Sequence, residues 1–161
     1  MTIEAVSGPV DTPLTIDDGH PARVLAWLAK RLDRGLDDVE LSLPQYRVLT
    51  WIARGSSAPK ALAGALSVTR PTVTALVDGL VARQLVERVP DPDDRRRVGH
   101  RMTAAGRAAL QRADTAGNEV LSDLAALLPA RDAARAMASL ALWGRALEAA
   151  HEARLAEKVA R

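Results

Sequence analysis

Apolar side chains recur along this chain at two different spacings, and the order of those spacings predicts the elements. Val24, Leu25, Leu28, Leu32 and Leu36 return every third or fourth residue with Trp27 beside them. That is the mark of a helix, beginning at about Pro21 and ending in the acidic patch Asp37, Asp38 and Glu40. Ser42 and Gln45 stand at the capping-box spacing, in which the hydroxyl accepts from the third helical N–H and the Gln side chain reaches back. Pro44 suits a first turn, so a second helix is expected here, with Tyr46, Leu49, Ile52 and Ala53 on one side and a stop near Gly55. A shorter third helix from about Pro59 to Leu66 has Leu62 and Leu66 one turn apart and Ser57 as its expected N-cap. Residues 1 to 16 contain Gly8, Pro9 and Pro13 and no sustained period, which predicts a mobile arm.

Two or three residues then lead into a fourth helix. Thr69 is placed to cap it, Pro71 suits its first turn, and Val73, Leu76, Val77, Leu80 and Val81 fall on one buried stripe. The opposite side presents Arg70, Thr72, Thr74, Ala75 and Asp78, short or hydrogen-bonding side chains gathered at the N-terminal end. After it the texture becomes β-branched and short. Leu85 to Val89 and Val98 to Met102 predict a hairpin, joined by a turn of Pro90, Asp91, Pro92, Asp93 and Asp94 with Arg95, Arg96 and Arg97 at its tip. Thr103 then caps a long helix with Leu110, Gly117, Leu121, Leu124 and Leu128 along one side, broken by Pro129. Asp132 lies in the first turn of a last helix, favourable for its dipole, where Met137, Leu140, Trp143, Leu147 and Leu155 recur. The short middle of the chain offers too little surface to cover two such faces. A second copy of the chain is the expected partner, and an intramolecular helical hairpin the alternative.

Composition narrows the class. The 161 residues are 48% hydrophobic but 2% aromatic with no Phe, so the core is built of Ala, Leu and Val and an α-rich fold is favoured. The absence of Cys removes disulfides, thiolate metal sites and thiol redox sensing. There is no apolar run near the roughly 20 residues that cross a bilayer, and a soluble cytoplasmic protein with no membrane partner is expected. The net charge of +2 hides a division along the chain. Residues 1–41 hold 4 basic and 8 acidic side chains, residues 42–112 hold 12 and 5, and residues 113–161 hold 6 and 7. A basic middle between acidic or neutral flanks suits a polyanionic partner. His20, His100 and His151 are scattered, and neither a nucleophile-and-base pair nor a phosphate loop stands out, so neither enzyme, metal nor cofactor is called for.

The fourth helix and the loop beyond it carry the chemistry. In a helix-turn-helix the second helix enters the major groove, and short Thr and long Arg side chains at its N-terminal end reach base edges. Arg tolerates insertion into a narrow, negative minor groove and binds phosphate with two parallel hydrogen bonds. The carboxylates beside the three arginines would oppose DNA, so Asp94 is expected to pair with Arg96 and hold its guanidinium in place.

The segment LSVTRPTVTALVDGLVARQLVERVPDPDDRRR, followed by MTAAGRAAL, closely resembles the MarR family of bacterial transcriptional regulators. The likeness runs over about Ser42 to Leu110. It implies a mainly α fold with a small β-hairpin wing. A winged helix-turn-helix over residues 42–103 would be flanked by dimerisation helices over 17–41 and 104–161. It implies that Thr69, Arg70, Thr72 and Thr74 approach the major groove. It also implies that the wing bearing Asp94, Arg95, Arg96 and Arg97 enters the minor groove through Arg96. A homodimer reading the two halves of a palindromic double-stranded operator follows, as a repressor responsive to a small-molecule effector, with Trp27, Tyr46 and Trp51 bordering the effector crevice. Three positions depart from the family pattern: Gly79 in the middle of the recognition helix, Gln84 where that helix usually ends in Gly, and His100 at a commonly apolar site. Gly79 and Gln84 leave open a second function, a winged-helix module that binds protein with weakened DNA contacts.

Overall fold

Proline opens each of the first four helices, sitting in the first turn where its missing N–H loses nothing. A computed structural model describes residues 20–55, 58–90 and 98–159. Helix α1 spans Pro21–Gly35 and is followed by a 3-10 turn, Asp37–Val39; α2 spans Leu43–Ala53, α3 Pro59–Leu66 and α4 Arg70–Ala82. Strands β1 (Val86–Pro90) and β2 (Val98–Met102) form an antiparallel hairpin, and the long helices α5 (Ala104–Ala126) and α6 (Ala130–Val159) complete the chain. The predicted mobile arm and the tip of the hairpin lie outside the described residues.

The capping box is present as the spacing predicts. Ser42 Oγ accepts from Gln45 N at 3.4 Å and Gln45 Oε1 accepts from Ser42 N at 3.3 Å. Asp33 on α1 adds a second fastening, its carboxylate accepting the N–H of Leu43 at 2.8 Å. Helix α3 differs: its N-cap position is Ala58, with no side-chain cap, because the helix starts directly at Pro59, and Ser57 lies outside the described residues.

The core gathers Leu36, Leu41, Val48, Leu49, Leu62, Val73, Val77, Leu80 and Val86 between α2, α3, α4 and the base of the hairpin. Each fully buried Leu or Val contributes on the order of 1.5–3 kcal/mol relative to leaving it in water. Two faces differ from the expected stripes. On α2 the buried residues are Val48, Leu49 and Ile52, while Ala53 is exposed. On α5 they are Gly106, Ala109, Ala113 and Gly117, with Leu110, Leu121 and Leu124 only half-buried and Leu128 exposed. The reason is proximity. A Cβ on Gly117 would stand 3.0 Å from Leu32 Cδ1, and one on Gly35 would stand 2.4 Å from Val120 Cγ2, so α1 and α5 meet through their smallest residues.

Helix α4 ends in a Schellman motif. Leu85 N donates to Leu80 O and Gln84 N to Val81 O, each at 2.9 Å, with Gln84 in the left-handed region at φ 57°. Leu85 then belongs to this turn and β1 begins at Val86. Thr103 closes the joint from the other side. Its hydroxyl donates to Gln84 O at 2.7 Å and accepts from Gly106 N at 2.9 Å, and its own N–H donates to Leu85 O at 3.1 Å. A Cβ at Gly106 would fall 1.9 Å from Leu85 O, so only glycine fits there.

Helix α6 reaches back along α5 and buries no described side chain. Met137, Leu140, Leu142, Trp143 (66% exposed) and Leu147 (70%) face solvent. The side chain of Leu155 lies outside the described residues.

Two glycine substitutions are expected to act in opposite directions in denaturant unfolding. Gln84→Gly removes the left-handed penalty at a C′ position and raises stability by about 0.5–1 kcal/mol at unchanged m. Gly106→Ala forces a methyl into the Leu85 carbonyl and lowers it by about 1–3 kcal/mol or more. Equal midpoints for both variants and the wild type would contradict the geometry of this joint.

Candidate nucleic-acid interface

Helices α3 and α4 are joined by Ser67, Val68 and Thr69, with Ser67 left-handed at φ 56°, which turns the chain sharply enough for the two helices to pack. Thr69 caps α4 as expected: its hydroxyl accepts from Thr72 N at 3.4 Å and lies 2.8 Å from Thr72 Oγ1. Val73, Val77 and Leu80 are buried, with Leu76 and Val81 half-buried beside them, while Arg70, Thr72, Thr74, Ala75 and Asp78 are exposed. The predicted reader side chains are therefore all exposed around the N-terminal end of one helix. Three are partly committed, Thr72 through its hydroxyl contact with Thr69. Thr74 Oγ1 donates to Arg70 O at 3.1 Å, and Thr69 is held by its capping role. Thr72 and the guanidinium of Arg70 remain at the rim of the N-terminal turn.

The hairpin pairs Glu87 with Arg101, Arg88 with His100 and Pro90 with Val98. Arg101 Nε donates to Glu87 Oε1 at 2.8 Å across the ladder, on the exposed side. Asp94, Arg95, Arg96 and Arg97 lie outside the described residues, and so does the expected Asp94–Arg96 pair; the paired ends at Pro90 and Val98 bring the two roots of that loop together. A contact that sequence spacing did not suggest joins the middle of β1 to α4. Arg88 Nη2 donates to Asp78 Oδ1 at 2.5 Å, tying the outward face of α4 to β1. No local signal marks it, because the partners are ten residues apart and belong to different elements.

The three departures from the family pattern have structural explanations. Gly79 is half-buried, and a Cβ there would stand 3.2 Å from Gln45 Nε2, so it lies where α2 crosses α4. Gln84 supplies the left-handed residue of the Schellman turn. His100 is buried, 7% exposed, on the inner side of β2 where an apolar residue would also sit.

The aromatic residues expected to border a crevice are spread out. Trp51 lines a cleft of about 680 Å³ between the α2–α3 pair and the far part of α6, with Arg47, Arg54, Leu147, Glu148 and His151 around it. Its ring lies 5.0 Å from that of His151, with the Arg54 guanidinium 5.9 Å over it and Arg54 paired to Glu148 at 3.3 Å. Tyr46 is instead on the seam with α5, its hydroxyl donating to Asp114 Oδ1 at 2.7 Å. A cleft of about 400 Å³ lined by Ile52, Arg101, Met102, Arg107 and Asp114 opens beside that bond. Trp27 is half-buried on α1 and lines neither cleft. Among the described residues no group of His, Asp and Glu is arranged to hold a metal ion, and no helix is long and apolar enough to cross a membrane.

Comparison with known proteins gives the same answer as the geometry. A family model described as the MarR family matches residues 39–97. The uncharacterized HTH-type transcriptional regulator YsmB of Bacillus subtilis is 32% identical over 104 residues, which cover 63% of this chain and 71% of that one. The chain belongs to the MarR family. Its fold is that of apo MarR from E. coli, with a TM-score of 0.66, 26% identity and coverage of 74% of this chain and 93% of MarR. A cysteine-to-serine mutant of that protein has been solved with operator DNA (TM-score 0.59, 26% identity, 74% and 89% covered). The transcriptional repressor CouR has been solved on a 23-mer DNA duplex (TM-score 0.62, 26% identity, 76% and 88% covered). In MarR terms, α3 and α4 form the helix-turn-helix of this chain and the β1–β2 hairpin its wing.

Burial, then the hydrogen bond and charge of Asp114, push the Tyr46 hydroxyl well above the usual tyrosine range. Because the folded state holds the proton more tightly than the unfolded one, this contribution is complete below a pH of about 10 and is lost as pH rises beyond it. Tyr46 is the sole tyrosine, so the tyrosinate absorbance of the native protein reports it alone. Native protein is expected to show no ionisation step near pH 10, while Asp114→Asn lowers the onset; a normal step in the wild type would contradict the Tyr46–Asp114 bond.

Proposed function

We propose that this MarR-family chain is a homodimeric, sequence-specific DNA-binding repressor whose occupancy of DNA answers to a small-molecule effector. The observation that carries the DNA half is the exposed N-terminal end of α4, with Arg70, Thr72 and Thr74 on its surface and no large apolar group among them. A helix presented in this way fits the major groove, and the wing beside it sends Arg96, braced by Asp94, into the neighbouring minor groove. The excess of basic residues between 42 and 112 supplies the sequence-independent attraction. MarR on its operator and CouR on its duplex lend support from relatives of the same fold.

The dimer half rests on α6. Leu140, Leu142 and Trp143 stand exposed on α6, and Leu25 is likewise exposed on α1. Apolar surface of this extent marks an interaction site. A second copy supplies a matching face, and two-fold symmetry then places two α4 helices on a palindromic site. The effector half rests on the cleft beside Trp51, which spans the DNA-binding lobe and α6, so an occupant bears on both. Gly79 and Gln84 serve packing and a helix end, which removes the sequence grounds for a decayed DNA face and so weighs against the protein-interaction alternative.

Fluorescence anisotropy on duplexes from the promoter of the protein's own gene tests this directly. The expected result is specific binding that weakens steeply with salt, by a particle of twice the 17.2 kDa chain mass in sedimentation. Thr72→Ala relaxes the sequence preference, and Arg96→Ala costs affinity at A·T-rich flanks. Equal binding to operator and scrambled duplex at low salt would overturn the proposal.

A further inference from the structure

A protein that places one element in the major groove and another in the adjacent minor groove must straddle the phosphate ridge between them. In this chain the two elements are α4 and the wing, and what stands between them is the Asp78–Arg88 pair. Asp78 lies one turn beyond Thr74 on the exposed side of α4, and Arg88 is the middle residue of β1. The two are 2.5 Å apart, and each side chain is 50% exposed. A guanidinium has five N–H donors in a rigid fork, and the bond to Asp78 uses one edge of it. That bond fixes the guanidinium, and half of the Arg88 side chain remains in solvent.

We infer that Arg88 is a further DNA-binding residue, one that grips a backbone phosphodiester on the ridge between the grooves, and that Asp78 is the positioning residue that aims it. The inference rests on the docking proposed above, with α4 in the major groove and the wing in the minor. It also accounts for an acidic residue on a face meant for DNA. A lone carboxylate there would repel phosphate, whereas one neutralised by Arg88 converts a flexible cation into a fixed one. A phosphate grip of this kind sets register and carries no base information.

The pair makes two predictions that a general electrostatic effect does not share. Arg88→Ala is expected to weaken binding about tenfold or more on operator and scrambled duplex alike. It should also reduce the slope of log affinity against log salt by about 0.9, the signature of one lost phosphate contact. The slope does not depend on the fraction of folded protein, so a merely destabilised variant would keep it. Asp78→Asn removes a negative charge from the DNA face, which by itself would tighten binding. The expected result is the opposite, a severalfold loss that is uniform across sequences.

Anisotropy titrations of wild type and both variants at four or more salt concentrations decide the matter. Wild-type binding with an unchanged slope in Arg88→Ala overturns the phosphate grip and leaves the docking intact. Tighter binding by Asp78→Asn overturns its positioning role, and so does an altered base preference, which would make Asp78 a reader of bases. A wild type that does not bind DNA at any salt overturns the docking itself.

Discussion

The close approach of Leu85 to Gly106 is the constraint on which the arrangement depends. At one point the last turn of α4 ends, β1 begins, β2 finishes and α5 starts. Thr103 bonds to both Gln84 O and Leu85 O and caps α5 through Gly106 N, so one hydroxyl serves three elements. The absence of a side chain at Gly106 is what lets the α5 N-terminus lie against the Leu85 carbonyl. The end of α4, the start of β1 and the start of α5 are therefore fastened to one another at a single point.

A second tie acts at the other face of α4. Arg83 donates to Glu40 O and, at 3.4 Å, to Glu40 Oε2, joining the end of the recognition helix to the segment between α1 and α2. The Glu40 carboxylate stays largely in water, so the pair adds little stability. Its consequence is geometric. With Thr103 on one side and Glu40 on the other, the C-terminal end of α4 is held while its N-terminal end, bearing Arg70, Thr72 and Thr74, projects. The Asp78–Arg88 pair lies between these fixed and projecting ends, at the place where the wing departs.

Much of this was legible in the sequence because it is local. The Ser42–Gln45 capping box, first-turn prolines and the Val73–Val77–Leu80 stripe depend on residues within two turns of one another, and the structure contains each of them. The helix-turn-helix and the hairpin followed from the same short-range signals, and the exposed side of α4 with them. What escaped was non-local or depended on absence. Of the small-residue seam of α5 the sequence pattern marks Gly117 and misses Gly106, Ala109 and Ala113, since periodicity rewards large apolar side chains and Ala and Gly leave little trace. Asp78–Arg88 and Tyr46–Asp114 join separate elements and carry no spacing rule. Gly79 and Gln84 looked like lost contacts, but a helix crossing and a Schellman turn account for them. The spread of Trp27, Tyr46 and Trp51 over three surroundings is likewise a tertiary fact.

The central claim is that two copies of this chain present α4 to successive major grooves on one face of DNA. Hydroxyl-radical footprinting of the protein on its own promoter tests it most directly. The expected result is a dyad-symmetric pattern, with two protected half-sites centred about one helical turn, or a multiple of it, apart. A single unpaired patch of protection, or uniform protection along the duplex, would contradict it.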